Sequence, residues 1–427
     1  MKKILSFLCL LCFTAAALGQ DNDVLARAIA LYQKKVYNEA VPLLRIDAEK
    51  GNPIAQFYLG VCYLNGLGIE KSILSALECF HKSAEKGYKE AQYNLGYLYS
   101  PYGPKNYRDE KEAAAWFRKS AEQGYANAQN KLGEAYEYGW GLEQSYTDAA
   151  FWYRKAADQG QREAQYLLAK LYESGNGVAS SNTDAAYWFT KSAEQGNTAA
   201  QYKLGMYYKL GIGVPQSYSD ALTWFRKAGD QHHSDALCEI GHCYFNGTGV
   251  SQDFSEAVSW YRKASAAGNK DALFQMGNCC FFGYGVNANQ TEAVEFFKEA
   301  ADRNHLEGMY QLAICYYNGL GASQNFEEAF KWFRKAAGNG HMVSQYYVGT
   351  CYYAGTGIAQ NYEDAVNWLL KAAKSGFPAA QYAMAVCYEY GRGVVANAES
   401  SIYWYRLAAR AGNADAQKRL NNLGVSY

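Results

Sequence analysis

The sequence predicts an all-α solenoid of tandem helix–turn–helix repeats, and three observations lead there. Residues 193–228 set beneath the next 36 align almost without a gap. Within that stretch Ala200, Leu204 and Tyr207/Tyr208 fall at i, i+4, i+7 and i+8, while Ala221, Trp224, Phe225 and Ala228 fall at i, i+3, i+4 and i+7. Both are the apolar stripes of amphipathic helices. Between them Gly211-Ile212-Gly213 stops the first helix, and Ser219/Asp220 reads as the cap of the second. A period of this length, built on two such helices, belongs to a chain in which each repeat touches only its neighbours.

The N-terminus is of another kind. Lys2-Lys3 precedes an apolar run from Ile4 to Leu18 that closes with Ala17-Leu18-Gly19 before Gln20. A charged start, a short apolar core and small residues at a cleavage point predict a signal peptide over residues 1–19. The run is short for a membrane-spanning helix, and the expected location of the mature chain is the periplasm or the exterior. Lys+Arg and Asp+Glu are both 41, which argues against a nucleic-acid partner or an electrostatic membrane footprint.

Residues 20–47 form an atypical first repeat, with one helix over Leu25–Tyr32 and a second from Tyr37 to Ala48 that carries Pro42 early, where proline is tolerated. Ten full repeats follow over 48–408, starting at Ala48, Ala84, Ala121, Ala157, Ala193, Gly229, Ser265, Ala301, Ala337 and Ala373. Nine have 36 residues; the second has 37, because Ser100-Pro101-Tyr102-Gly103-Pro104-Lys105 replaces the Gly-x-Gly turn. Residues 409–427 supply a C-terminal capping helix from Ala414 to about Leu423.

Counting each repeat from 0, position 12 is only Gly or Ala (Gly60, Gly133, Ala169, Gly241, Ala385), so the two helices can approach closely. Position 15 is Tyr in nine of ten repeats, and Trp116, Trp152, Trp188, Trp224, Trp260, Trp332, Trp368 and Trp404 form a stripe along the second helices. The pattern A-x-x-x-L-G-x-x-Y-x-x-G-x-G-V followed by D-x-x-x-A-x-x-W-[FY]-R-K-A-A-x-x-G resembles the Sel-one-like repeat family, relatives of the tetratricopeptide repeat. The resemblance covers about 48–420 and implies a right-handed α-solenoid that serves as an adaptor or binding platform, with bacterial members often exported.

Chemistry that could hide in the repeats reads as structure. The Gly-x-Gly pairs follow helices and lack a P-loop lysine, so they are helix caps rather than phosphate loops. Cys62, Cys243, Cys279, Cys315, Cys351 and Cys387 share one repeat position; successive copies lie on the order of 10 Å apart, too far to bridge, so free thiols are expected. Cys62 with Cys79 is the one pair that could bridge. Cys238 and His242, i and i+4 on one helix, are the sharpest metal candidates, but zinc needs three or four converging ligands. No His recurs beside a Ser or Asp as hydrolysis requires, so no catalytic residue, cofactor or metal is assigned. The Arg-Lys pairs ending second helices (Arg118-Lys119, Arg154-Lys155, Arg226-Lys227) read as a solvated face complementing the helix dipole.

What remains is the groove. In the tetratricopeptide arrangement the first helix lines the concave side, and positions 9, 13 and 16 face it. Position 16 runs Leu64, Ser100, Glu137, Glu173, Lys209, Phe245, Phe281, Tyr317, Tyr353 and Glu389. Phe245, Phe281, Tyr317 and Tyr353 are expected to form an exposed apolar stripe beside Tyr310 and Tyr346 at position 9, because the equivalent Glu and Lys are seldom buried unpaired. Glu137, Glu173, Lys209 and Lys170 would set register. The expected function is capture of a protein or peptide along this groove; the alternative is a cell-wall glycan stacked on the tyrosines, and a cell-wall enzyme is a third reading.

Overall fold

The computed structural model describes residues 24–427. The signal peptide read over 1–19 lies outside them. Among the described residues there is no strand, and none of the helices is long and apolar enough to cross a membrane. The chain divides into two compact units, one ending at Gln216 and the other beginning at Ser217.

The N-terminal unit opens with a helix over 24–33 and Tyr37–Glu49. Hairpins follow, Pro53–Asn65 with Ile73–Glu85, Lys89–Tyr99 with Glu110–Glu122, Ala126–Tyr138 with Tyr146–Asp158, and Arg162–Ser174 with Asn182–Glu194, before Thr198–Leu210 ends the unit. In the C-terminal unit Tyr218–Asp230 comes first. Its hairpins are Ser234–Asn246 with Phe254–Ala266, Lys270–Phe282 with Gln290–Asp302, Leu306–Asn318 with Phe326–Gly338, Met342–Ala354 with Tyr362–Lys374, and Pro378–Tyr390 with Ala398–Arg410; Ala414–Asn422 closes it.

Local chemistry explains the boundaries. Second helices start at a Ser, Asp or Asn whose side-chain oxygen accepts a backbone N–H two or three residues on, as Ser145 does from Asp148 and Asn325 from Glu328. In the repeat at 193 the cap is Ser217, which accepts from Asp220, and not Ser219/Asp220. The acidic residue lies inside the first turn, where it also favours the helix dipole. First helices end at a left-handed glycine such as Gly139 or Gly211, as the turn requires.

The second glycine of each turn does something the cap reading missed. Gly141, Gly177 and Gly213 in one unit, and Gly249, Gly285, Gly321, Gly357 and Gly393 in the other, lie against the backbone at the start of the preceding repeat's second helix. A Cβ at Gly357 would stand 2.1 Å from the Phe326 carbonyl oxygen. These glycines are contacts between repeats.

Within a hairpin, small position 12 admits the ring at position 32. A Cβ on Gly133 would sit 2.5 Å from the Tyr153 ring, and one on Gly277 2.5 Å from Phe297. Tyr153, Phe189, Tyr261, Phe333 and Tyr405 at that position are essentially fully buried, whereas Trp224, Trp260, Trp332, Trp368 and Trp404, one residue earlier, are only half-buried. The deepest aromatic core therefore runs beside the tryptophan stripe. Six of the eight tryptophans of the stripe carry a lysine, with Lys119 3.8 Å from the ring centre of the buried Trp116 and Lys371 3.9 Å from that of the half-buried Trp368.

The Arg-Lys pairs are accordingly not a merely solvated face. Lysine lies over its own tryptophan, and arginine donates to the position-15 tyrosine of the next repeat, Arg118 to Tyr136 Oη at 2.7 Å and Arg226 to Tyr244 Oη at 2.8 Å. A second stitch is buried. Gln92, Gln129, Gln165 and Gln201 each donate Nε2 to the carbonyl eight residues earlier at 3.1 Å, satisfying the open end of the preceding helix.

Candidate partner-binding surface

The first helix of each repeat leaves its free surface along positions that vary between copies. Phe245, Phe281, Tyr317 and Tyr353 lie there half-buried rather than as an exposed stripe. The reason is local. Three of the four rings pack edge-on against the first residue of their own second helix, Phe245 on Phe254 at 5.0 Å, Tyr317 on Phe326 at 5.2 Å and Tyr353 on Tyr362 at 5.2 Å. Phe281, whose second helix begins at Gln290, lies 6.4 Å from Phe297.

Tyr310 and Tyr346 are engaged in stacking between repeats, Tyr310 on His341 at 5.0 Å and Tyr346 on Phe377 at 5.2 Å. Burial pushes the Tyr310 phenol up to about 12. The acidic register residues are also partnered internally. Glu173 takes Lys203 at 3.1 Å and the Tyr207 hydroxyl at 3.2 Å, and Glu137 accepts from the buried Tyr153 hydroxyl at 2.6 Å. Lys170 lies 5.9 Å from the Tyr166 ring centre, and Lys209 is half-buried.

The exposed rings stand one position further on. Phe282 is 61% exposed at the last residue of its helix and lies 5.0 Å from Phe281. Tyr284, 38% exposed between the two turn glycines, lies 5.5 Å from Phe245, 5.2 Å from Phe254 and 5.7 Å from Phe282. Five aromatic rings thus meet at one edge of the C-terminal unit, two of them open to water. A signal was present in the sequence: position 17 is Asn246, Asn318 or Ala354 in neighbouring repeats but Phe282 here.

Cys238 Sγ lies 3.5 Å from His242 Nε2, and the Tyr261 hydroxyl lies 3.0 Å from His242 Nδ1, so both ring nitrogens face partners. No cluster of three metal-ligating side chains occurs among the described residues. All nine cysteines from Cys62 onward are free, Cys62 and Cys79 included. Burial pushes the thiols of Cys62, Cys79, Cys315, Cys351 and Cys387 up to about 11, which leaves them protonated and unreactive at neutral pH.

Three histidines cap first helices in the C-terminal unit. His305 Nδ1 accepts the Gly308 N–H at 2.9 Å, which fixes its proton on Nε2, 3.1 Å from Asp271 of the preceding repeat. Burial lowers the pKa of His305 and of His233, and the nearby carboxylates only partly oppose it. A histidine held neutral by folding stabilises fully above its unfolded pKa near 6.5, and that contribution is lost as pH falls below it. Thermal midpoints should therefore drop between pH 7 and pH 5. His305→Asn, the residue that caps the preceding repeat as Asn269, should keep the cap and shrink the drop.

Ten stretches match the Sel1 repeat model: residues 53–88, 89–125, 126–161, 162–197, 198–233, 234–269, 270–305, 306–341, 343–377 and 378–413. Among solved structures, the chain is similar to c5321, a protective antigen present in uropathogenic Escherichia coli strains displaying an SLR fold. The match has 30% identity and a TM-score of 0.83, covering 96% of this chain and 88% of that one. A Sel1 repeat protein from Oxalobacter formigenes matches at 30% identity and a TM-score of 0.56, over 72% of this chain and 89% of that one. Among curated proteins, 62 residues are 36% identical to DAP3-binding cell death enhancer 1 of Rattus norvegicus; they span 14% of this chain and 12% of that protein's length.

Proposed function

Since the chain belongs to the Sel1 repeat family, we propose that it is an exported, non-catalytic scaffold that captures a protein or peptide partner on the surface of its first helices. The family fold is one used generally for protein interaction, and the conserved stripes of each repeat are engaged in holding the stack together. Recognition then falls to the positions that differ.

The observation that carries the reading is the aromatic edge at Phe245, Phe254, Phe281, Phe282 and Tyr284. Exposed rings backed by half-buried ones give a patch that loses little conformational entropy on binding and gains apolar burial. Phe282→Ser with Tyr284→Ser removes the exposed rings without opening the core. The expected result is an unchanged thermal midpoint and loss of a partner first identified by crosslinking in the native host and then re-bound in purified form. Retained binding would overturn the placement, and retention on a peptidoglycan column with no protein captured would favour the glycan alternative. Export is tested by intact mass: protein recovered outside the cytoplasm should begin at Gln20.

A further inference from the structure

Three repeats place a carboxylate at the penultimate residue of the first helix: Glu137, Glu173 and Glu389. In two of them a cation arrives from thirty residues further on. Lys203 Nζ lies 3.1 Å from both oxygens of Glu173. Arg419 forks onto Glu389, with Nη2 on Oε1 and Nε 3.3 Å from Oε2. The third copy is different. Thirty residues after Glu137 stands Leu167, 8% exposed, which brings no charge.

Glu137 keeps the hydrogen bond from the Tyr153 hydroxyl and lies beside Tyr138, whose phenol is raised by burial and by the Glu137 charge, but no lysine or arginine among the described residues pairs with it. Tyr97, Tyr102, Tyr138 and Tyr146 are all exposed, and Tyr97 and Tyr102 stack at 6.4 Å with planes 16° apart. Tyr102 comes from the irregular turn over residues 100–105. Its hydroxyl donates to Glu134 Oε2 at 2.8 Å, and Lys131 Nζ lies 4.2 Å from its ring centre. Lys131 is also 2.9 and 2.8 Å from the two oxygens of Glu134, so that charge is compensated. Asn130, 3% exposed, donates to Glu134 Oε1 at 3.0 Å while its own Oδ1 has no partner. Among the described residues Glu137 is thus a half-buried carboxylate without a cation, close enough to Tyr102 to add to the rise that burial gives its phenol. It is joined to Tyr146 through Gln144, which donates to the Glu137 carbonyl at 2.7 Å and to the Tyr146 hydroxyl at 3.3 Å.

The chain shows elsewhere what fits such a place. Arg392 lies 5.3, 5.7 and 5.5 Å from the ring centres of Tyr353, Tyr362 and Tyr390. Tyr353 and Tyr362, one repeat before Arg392, occupy the positions that Glu137 and Tyr146 hold one repeat before Asn176, so the equivalent place beside Glu137 carries no guanidinium of its own. A guanidinium combines a flat surface for stacking on tyrosine with a fork that matches a carboxylate. We propose that Glu137, with Tyr102, Tyr138 and Tyr146 around it, is the seat for an arginine side chain of the bound partner. This rests on the first-helix surface being the binding face, but uses the N-terminal unit and none of the aromatic edge described above.

The test uses the full chain and a probe peptide, acetyl-Gly-Arg-Gly-amide, against its citrulline twin, followed by amide NMR shifts. The arginine peptide should shift Tyr102, Glu137, Tyr138 and Tyr146, and citrulline should bind about tenfold more weakly. Glu137→Gln, which can still accept from Tyr153, should lower arginine affinity to the citrulline level at an unchanged thermal midpoint. Leu167→Lys should do the same by supplying the missing internal cation. Equal binding of the two peptides, or arginine affinity unaffected by Glu137→Gln, would overturn the seat. Loss of partner capture in the Phe282/Tyr284 variant alone leaves these peptide results unmoved, so the two readings fail separately.

Discussion

Gly357→Ala is expected to destabilise the protein by about 3–5 kcal/mol. Two effects add at this glycine. Its φ of +72° is strained for any residue with a side chain, which costs about 1–2 kcal/mol. The added Cβ would also lie 2.1 Å from the Phe326 carbonyl oxygen and 2.5 Å from its carbon, backbone atoms of the preceding repeat that cannot rotate away. Gly376 is the control. It has φ +89° but nothing within 4 Å, so Gly376→Ala should show the backbone strain alone, about 1–2 kcal/mol. Urea midpoints of the two variants, with amide exchange over Phe326–Gly338 and Met342–Ala354, measure the difference. Equal losses would mean that the turn contributes no contact between repeats.

Phe333→Ala should cost about 3–5 kcal/mol, the usual range for truncating a fully buried ring. Phe333 is 0% exposed and stacks on Tyr347 at 4.6 Å with planes 5° apart, and Tyr310 and Tyr317 each lie 6.1 Å away. The ring thus joins two successive repeats, and its loss leaves a cavity flanked by tyrosines that have lost their support. Phe333→Leu should cost only about 1–1.5 kcal/mol. The next repeat already carries Leu369 at this position, 1% exposed, opposite Gly349. Denaturant unfolding of both variants tests the pair, and a Leu variant as damaged as the Ala variant would show that stacking rather than filled volume holds the site.

The readable part of the fold was whatever a helix imposes on its own sequence. Ala200, Leu204 and Phe225 recur at helical spacing, and Gly211 ends its helix in the left-handed region, as its neighbours in sequence indicate. The misplaced cap at Ser219/Asp220 shows the limit. Ser217 and Ser219 are both capping residues, and only the backbone geometry at Ser217, φ −152° and ψ 106°, settles which one begins the helix. The site was less legible. Phe245 and Phe282 are both aromatic and near the end of a first helix, yet one packs on Phe254 and the other faces water. Glu173 and Glu137 are equivalent by position, and the difference between them sits thirty residues away, at Lys203 and Leu167.

By itself the sequence determined the all-α class, the repeat and most helix limits, because those depend on spacing within a few turns of one helix. Tertiary structure decided what the departures from the repeat mean. It turned the second glycines into contacts between repeats and the arginines and lysines into stitches on tyrosine and tryptophan. It also moved the exposed aromatic surface from Phe281 to Phe282 and Tyr284. The physical reason is that charge pairing joins residues about 30 positions apart that stacking brings together. Ring burial joins the end of a first helix to the start of the second, nine residues on. Neither is recorded by spacing within one helix.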